Sequence, residues 1–252
     1  MRRELLVTSL AALPLLAGQP LLYQDGSVRL AGYLARPAAV AGKVPGVLVL
    51  HQWMGVTGHE QMIADRLAGL GYVAVAADIY GEGVRPKDIK EAAALATHYK
   101  SDRALYRRRI LAGLEALKAQ SGVDPDRVAV VGFCFGGTGA LEAARAGMPV
   151  VGVVSFHGNL DAVPDPAARP ITAKVLVCHG ADDPNVPPKD VAGFQDEMRR
   201  GKADYTFIAY GGAVHAFTQK EAGNDPSRGV AYQEAAARRS WQHMKDFFAE
   251  LF

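Results

Sequence analysis

Residues 127–140 form an apolar, strand-like run that breaks at glycines and continues as an alanine-rich segment of helical character. Within it, Gly132, Cys134 and Gly136 make the pattern Gly-x-Cys-x-Gly, which is typical of a nucleophile elbow between a strand and a helix. The backbone of the middle residue is strained in such a turn, so its neighbours must be small. We therefore expect the Cys134 sulfur to be exposed above the N-terminus of the next helix, where free N–H groups favour a thiolate. The alternative is a buried cysteine in a glycine-rich connection.

Apolar runs alternate with segments of helical spacing along the rest of the chain. Strands are predicted at 46–50, 72–77, 150–156, 174–179 and 205–210, and helices at 60–70, 88–120, 190–200 and 232–252, the second of which divides in two. An Asp-Gly turn at residues 25 and 26 joins two more strands, which predicts an antiparallel hairpin at one edge. The whole pattern predicts a doubly wound α/β fold, with a mostly parallel sheet, helices on both faces and ligands at the carboxyl ends of the strands.

Length and composition allow one large folded unit. With 252 residues, 49% of them hydrophobic, the chain can bury a substantial core, and we expect a single large α/β domain over residues 19–252. The net charge of +2 is small and the basic residues are scattered, apart from a triplet at 107–109 that we interpret as a solvated helix face. Nucleic-acid binding is therefore not expected. Cys134 and Cys178 lack the paired spacing of a metal or redox motif, so neither a disulfide framework nor a metal is expected.

The first 18 residues have a basic start followed by an apolar run from 5 to 17, which is the order of a secretory signal peptide. Glu4 dilutes the basic part, Pro14 interrupts the apolar run, and no Ala-x-Ala cleavage site follows. The sequence therefore favours a cytoplasmic protein, with export as the alternative. The run is too short to span a membrane.

A cysteine nucleophile needs a base or a cation beside it, and that partner needs an orienting acid. Asp182 and Asp183 follow the predicted strand at 174–179, and His215 follows the predicted strand at 205–210. The order Cys, Asp, His is that of the α/β-hydrolases. We choose Asp183 as the acid because it is the first residue of an Asp-x-x-Val-Pro pattern, and we expect Asp182 to cap the loop.

Three other histidines lie at predicted strand ends and compete for the role of base by position, namely His51, His157 and His179. His215 is preferred because it alone follows the acid at the last strand end. The others are interpreted as packing or loop hydrogen-bonding residues. The acyl oxygen needs two backbone donors, which the elbow fold takes from the residue after the nucleophile and from a loop after an early strand. These donors are the N–H groups of Phe135 and Trp53.

Six motifs occur together in the chain. They are Gly132-Phe133-Cys134-Phe135-Gly136-Gly137, His51-Gln52-Trp53, Ala77-Asp78-Ile79-Tyr80, Ser155-Phe156-His157-Gly158, Asp183-x-x-Val186-Pro187 and His215-Ala216-Phe217. With them, the chain from about residue 21 to its end resembles the dienelactone hydrolase family, also called carboxymethylenebutenolidases. The cysteine is the specific element, because most α/β-hydrolases have serine at the elbow. The resemblance implies a Cys134–Asp183–His215 triad that opens an enol-lactone or cleaves an ester through an acyl-cysteine intermediate, without a cofactor.

Three positions differ from the best-known members of that family. Those members have a glutamate, thought to hold and release the thiol proton, where this chain has Gln52. They also bind the substrate carboxylate with two arginines, at or near the places of Glu82 and Gln219. We expect Gln52 to modulate the nucleophile, and the candidate substrate-binding residues are Tyr80, Glu82, Arg85 and Gln219, among which Arg85 could replace a missing arginine. These changes predict a preference for neutral over anionic substrates.

The sequence thus predicts a hydrolase, monomeric or homodimeric, that acts on a small-molecule ester, thioester or enol-lactone. Two alternatives from other classes stay open. A non-catalytic binding protein on a hydrolase fold is favoured by the loss of the glutamate at position 52, although all three triad residue types are retained. A thiol-redox protein would use Cys134, but no resolving cysteine lies at an obvious spacing.

Overall fold

The computed structural model describes residues 18–39, 42–162 and 170–252. The strands are β1 (Gln19–Asp25), β2 (Val28–Ala35), β3 (Val44–Leu50), β4 (Val73–Ala77), β5 (Val123–Phe133), β6 (Gly152–Phe156), β7 (Lys174–Gly180) and β8 (Tyr205–Tyr210). The helices are α1 (Gly58–Gly69), α2 (Ile89–Ser101), α3 (Arg103–Lys118), α4 (Phe135–Arg145), α5 (Pro188–Arg200) and α6 (Glu234–Leu251), with short 3-10 helices at Lys220–Ala222 and Pro226–Arg228. The strands form one sheet in the order β1-β2-β4-β3-β5-β6-β7-β8.

The sheet is parallel except at its N-terminal edge. Strands β3 to β8 pair in parallel, while β1 and β2 form an antiparallel hairpin and β2 is antiparallel to β4. Gly26 has φ 59°, the left-handed conformation that the tight turn between the paired residues Asp25 and Val28 requires. The predicted doubly wound α/β fold and its edge hairpin are confirmed.

Two hydrophobic clusters, one on each face of the sheet, make up the core. Successive residues of β5 point to opposite faces, so Val130 belongs to the cluster that includes residues of α2, α3, α4 and α5, while Val131 belongs to the cluster that includes residues of α1 and α6. Both valines are fully buried, as expected for a parallel strand that is covered on both faces. The continuous apolar runs in the sequence therefore reflect burial on both sides of the sheet, and the polar strand ends converge at one edge.

The helical region predicted at 88–120 consists of two helices because of Asp102. Its N–H donates to the carbonyl of His98 at 3.0 Å and closes α2, while its carboxylate accepts from the N–H of Leu105 at 2.9 Å and caps the start of α3. One residue therefore ends one helix and begins the next.

The predicted N-terminal apolar segment lies outside the described residues, apart from its last residue, Gly18. Within the three described ranges, no helix is long and apolar enough to cross a membrane.

Candidate active site

The elbow stands between β5 and α4. Cys134 has φ 54° and ψ −114°, a backbone conformation that residues with a side chain rarely adopt. A Cβ atom on Gly132 would lie 1.8 Å from the carbonyl oxygen of Gly136, and a Cβ atom on Gly136 would lie 2.2 Å from the carbonyl oxygen of Leu50. Both positions thus require glycine, for the reason that the Gly-x-Cys-x-Gly pattern predicts.

Three side chains from different strand ends meet at this elbow. The Cys134 sulfur lies 3.1 Å from Nε2 of His215, and Nδ1 of His215 lies 2.8 Å from Oδ2 of Asp183. The other oxygen of Asp183 accepts from the N–H of Asn185 at 2.9 Å, and the residue is 5% exposed. Asp182 is exposed and its main-chain N–H donates to the carbonyl of Ala213. The carboxylate that contacts His215 is therefore that of Asp183 and not that of Asp182.

The surroundings of His215 favour its charged form. Burial alone would lower its pKa, but the Cys134 thiolate and the hydrogen bond to Asp183 outweigh burial and raise the pKa of His215 to about 10. A proton on Nδ1 then points at the Asp183 carboxylate and a proton on Nε2 points at the sulfur. The arrangement places a charged imidazole between a cysteine sulfur and an orienting carboxylate.

The competing histidines have other partners. Nε2 of His51 accepts from the N–H of Ile79 at 3.2 Å, and its Nδ1 contacts the carbonyl of Gln52. His179 is 5% exposed and packs against Phe207, and burial lowers its pKa. These contacts fit the interpretation of both residues as structural.

His157 contacts the nucleophile through the main chain, which the sequence did not indicate. The Cys134 N–H is 3.1 Å from Nδ1 of His157 and 3.0 Å from the carbonyl oxygen of Phe156. Nε2 of His157 lies 2.8 Å from Oγ1 of Thr218. Neither ring nitrogen is available to take a proton from the sulfur.

The two residues expected to donate to the oxyanion, Trp53 and Phe135, are each fixed by a tyrosine hydroxyl that binds the carbonyl of the same residue. The Tyr80 hydroxyl donates to the carbonyl of Trp53 at 2.9 Å, and the Tyr106 hydroxyl donates to the carbonyl of Phe135 at 2.7 Å. The Tyr106 and Phe135 rings also stack with their centroids 4.5 Å apart. Within the described part of the chain, the N–H groups of Trp53 and Phe135 donate to no protein acceptor, so both can serve a ligand.

A buried carboxylate stands beside Gln52, although it comes from α1. Glu60 is 1% exposed, and its oxygens accept from the N–H of Gln52 at 3.3 Å and from the N–H of Thr57 at 2.8 Å. Thr57 and Glu60 form a capping box at the start of α1. The Thr-x-x-Glu spacing was the sequence signal for this cap, but it did not indicate that the cap reaches Gln52.

The charged candidates for substrate binding already have protein partners. Glu82 pairs with Arg29 at 2.9 Å, so its negative charge is partly balanced. Nη1 of Arg85 donates to the carbonyl of Val84 at 2.6 Å and lies 3.4 Å from the Asp78 carboxylate. Arg85 is therefore held by the protein, and these contacts weigh against the expectation that it replaces a substrate-binding arginine.

The other two candidates for substrate binding, Tyr80 and Gln219, differ in whether their side chains already have a hydrogen-bond partner in the protein. Tyr80 is 4% exposed and its hydroxyl is used on Trp53, so it orients the Trp53 loop. Gln219 is partly buried and follows His215 on the same loop; within the described residues its side chain makes no hydrogen bond. The described ranges contain no group of three or more histidine, cysteine, aspartate or glutamate side chains arranged to hold a metal ion.

Comparisons with known proteins identify the family of this chain. The model of the dienelactone hydrolase family matches residues 30–252. A Bradyrhizobium sp. protein named "Probable 2-oxo-3-(5-oxofuran-2-ylidene)propanoate lactonase" is 33% identical over 231 residues, which are 87% of this chain and 88% of that protein. A solved structure titled m3DLH is 39% identical with a TM-score of 0.89, covering 93% of this chain and 98% of its own. A dienelactone hydrolase-like promiscuous phosphotriesterase from metagenomic libraries is 40% identical with a TM-score of 0.86 and the same coverage.

Proposed function

This chain belongs to the dienelactone hydrolase family and is an ester or lactone hydrolase, and from that premise we propose that it works through an acyl-cysteine intermediate on Cys134. The observation that carries the proposal is the line from Cys134 to His215 to Asp183, with separations of 3.1 Å and 2.8 Å. These are hydrogen-bonding distances between a nucleophile, a base and an orienting acid. The substrate class is a small ester, thioester or enol-lactone.

In the first half of the reaction, the Cys134 thiolate attacks the carbonyl carbon of the substrate. The negative charge moves to the carbonyl oxygen, where the N–H groups of Phe135 and Trp53 stabilise it. When the tetrahedral intermediate collapses, the bond to the leaving oxygen breaks and that oxygen takes the Nε2 proton of His215. The products of this half are the alcohol, or the opened end of a lactone, and a thioester on Cys134.

In the second half, the neutral His215 accepts a proton from water as the water oxygen attacks the thioester carbon. The second tetrahedral intermediate expels the thiolate, which restores the ion pair and releases the acid. Asp183 keeps the Nδ1 proton of His215 in place throughout, so Nε2 always faces the reacting atoms.

Two alternatives can be separated from this proposal. A binding protein on the same fold would show no turnover. A thiol-redox protein would need Cys178 as a resolving thiol, yet that residue is fully buried and burial raises its pKa to about 12. Burial and the raised pKa both oppose fast thiol–disulfide exchange at Cys178.

A substrate panel tests the proposal. Neutral and anionic esters, thioesters and lactones, with phosphotriesters added because of the phosphotriesterase relative, would be assayed with the wild-type protein. We expect turnover of acyl substrates and transient mass labelling of Cys134 by the acyl group. Turnover without an acyl-enzyme, or no turnover at all, would contradict the proposed mechanism.

Replacing Gln219 with arginine should shift selectivity toward anions. Wild type is expected to prefer a 4-nitrophenyl ester with a terminal methyl over the matching ester with a terminal carboxylate. A charge-assisted contact is worth about 1.5–3 kcal/mol, so the ratio of kcat/KM values should move toward the anionic ester by roughly tenfold in Gln219→Arg. Gln219→Met is the neutral control; an equal shift in both variants would show that charge at this position is not the cause.

Replacing Gln52 with glutamate should slow alkylation of Cys134. A second carboxylate would join that of Glu60, which accepts from the main-chain N–H of Gln52 at 3.3 Å, and would disfavour a nearby thiolate. We expect iodoacetamide to react severalfold more slowly at neutral pH, with acyl transfer on a good substrate unchanged or faster. Gln52→Met, which adds no charge, should stay near wild type. A faster reaction in the glutamate variant would mean that position 52 does not face the sulfur.

A further inference from the structure

His157 holds an uncommon backbone conformation in a fully packed place. It has φ 41°, a left-handed value that is unfavourable for a residue with a bulky side chain, and it is 1% exposed. Such strain persists only where the surroundings impose it, and it concentrates at functional sites. Here the conformation directs the imidazole between the elbow and the loop that carries His215.

The hydrogen bonds of His157 define its tautomer. Because Nδ1 accepts from the Cys134 N–H, the ring proton is on Nε2, which then donates to Oγ1 of Thr218. Burial and the neighbouring His215 lower the pKa of His157 well below 6.5, so the ring stays neutral. The His157 and His215 rings are 5.3 Å apart, and the pKa of His215 is raised to about 10, so a neutral His157 avoids repulsion between two charged rings.

The two ends of this link belong to segments far apart in sequence. Cys134 follows β5, whereas Thr218 comes three residues after His215 in the loop beyond β8. The Cys134–His215 contact spans 81 residues of chain, so its length depends on how those two segments are held relative to each other. In the described residues, the only side-chain hydrogen bond of Thr218 is the one to His157.

We propose that His157 and Thr218 are positioning residues that tie the nucleophile elbow to the loop of the base and thereby maintain the Cys134–His215 ion pair. This inference rests on the proposed role of Cys134 as nucleophile. In the described residues, neither side chain makes a hydrogen bond to the Cys134 sulfur or to a ring nitrogen of His215. Loss of the link should widen the range of sulfur–imidazole distances and weaken the ion pair, while the substrate-binding surface is unchanged.

The test compares Thr218→Val, which has nearly the same shape but no hydroxyl, with Thr218→Ser, which keeps the hydroxyl. For Thr218→Val we expect the iodoacetamide rate at pH 7 and kcat for 4-nitrophenyl acetate to fall by roughly tenfold each, with KM within about twofold, since a buried donor loses its acceptor. Thr218→Ser should keep more than about half of both values. The proposal is overturned if valine leaves both values unchanged, if serine loses as much as valine, or if the melting temperature falls while the alkylation rate does not.

A second variant removes the other end of the link. His157→Asn suits the left-handed backbone, and its shorter side chain cannot reach Thr218. It should lower the alkylation rate about as much as Thr218→Val, and the double variant should be no worse than either, because both changes break one link. Additive losses would overturn the proposal. Alkylation needs no substrate, so this result is independent of turnover; activity that survives in Cys134→Ala would instead refute the proposed function.

Discussion

Cys134→Ala should lower kcat/KM for an acyl ester by at least about 10⁴-fold, as expected when a nucleophile that forms a covalent intermediate is removed. The sulfur of this side chain lies 3.1 Å from Nε2 of His215, and alanine keeps the Cβ that the strained elbow already accommodates. Folding should therefore be retained. Steady-state kinetics and a melting curve, measured on the same preparation, would separate the loss of chemistry from a loss of structure.

Cys178 supplies the matched control. It is fully buried in β7, where the Tyr210 hydroxyl lies 3.6 Å from its sulfur. Cys178→Ala should leave kcat/KM within about twofold while lowering the melting temperature, because a small core cavity forms. Brief treatment with iodoacetamide should add one label per chain, on Cys134, since burial raises the pKa of Cys178 to about 12. Equal labelling of both cysteines, or full activity with Cys134 alkylated, would refute the assignment of the nucleophile.

Asp183→Asn should reduce kcat by about 10²–10⁴-fold with little change in KM, because an amide at this position does not hold His215 in the required tautomer. Oδ2 of Asp183 is 2.8 Å from Nδ1, and the contact helps to raise the pKa of His215 to about 10. Without the carboxylate that pKa should fall toward the ordinary value near 6.5. In wild type the charged base should thus persist from neutral pH to about 10, and in the variant it should be lost at lower pH.

The pH dependence of alkylation from pH 5 to 10, together with NMR titration of the imidazole, would check this result. Asp182→Asn is the control, because Asp182 is exposed and its main-chain N–H, not its carboxylate, bonds to the carbonyl of Ala213 among the described residues. It should retain activity within about twofold. If Asp182→Asn is the variant that loses activity, the choice between the two adjacent aspartates is wrong.

The local features of this site were readable from the sequence. A glycine pattern around Cys134 predicts a tight strand-to-helix turn because the reason for glycine is local: a Cβ on Gly132 would clash with Gly136, four residues away. Buried parallel strands show as continuous apolar runs, and their ends show where the chain turns polar. Since all parallel strands end at one edge of the sheet, the positions of Asp183 and His215 after their strands were enough to expect them near the elbow.

The contacts that tune the site were decided by the tertiary structure alone. The Cys134 N–H has a second acceptor besides the Phe156 carbonyl, namely His157, which position suggested only as a rival base. The carboxylate beside the main chain of Gln52 comes from Glu60 on α1. Arg29 lies 53 residues from Glu82 in the sequence, and it pairs with the Glu82 carboxylate, a contact that the sequence did not indicate. Such pairings depend on which strands and helices are neighbours and in what register, and a side chain's chemistry does not reveal which distant partner the fold will bring within hydrogen-bonding distance.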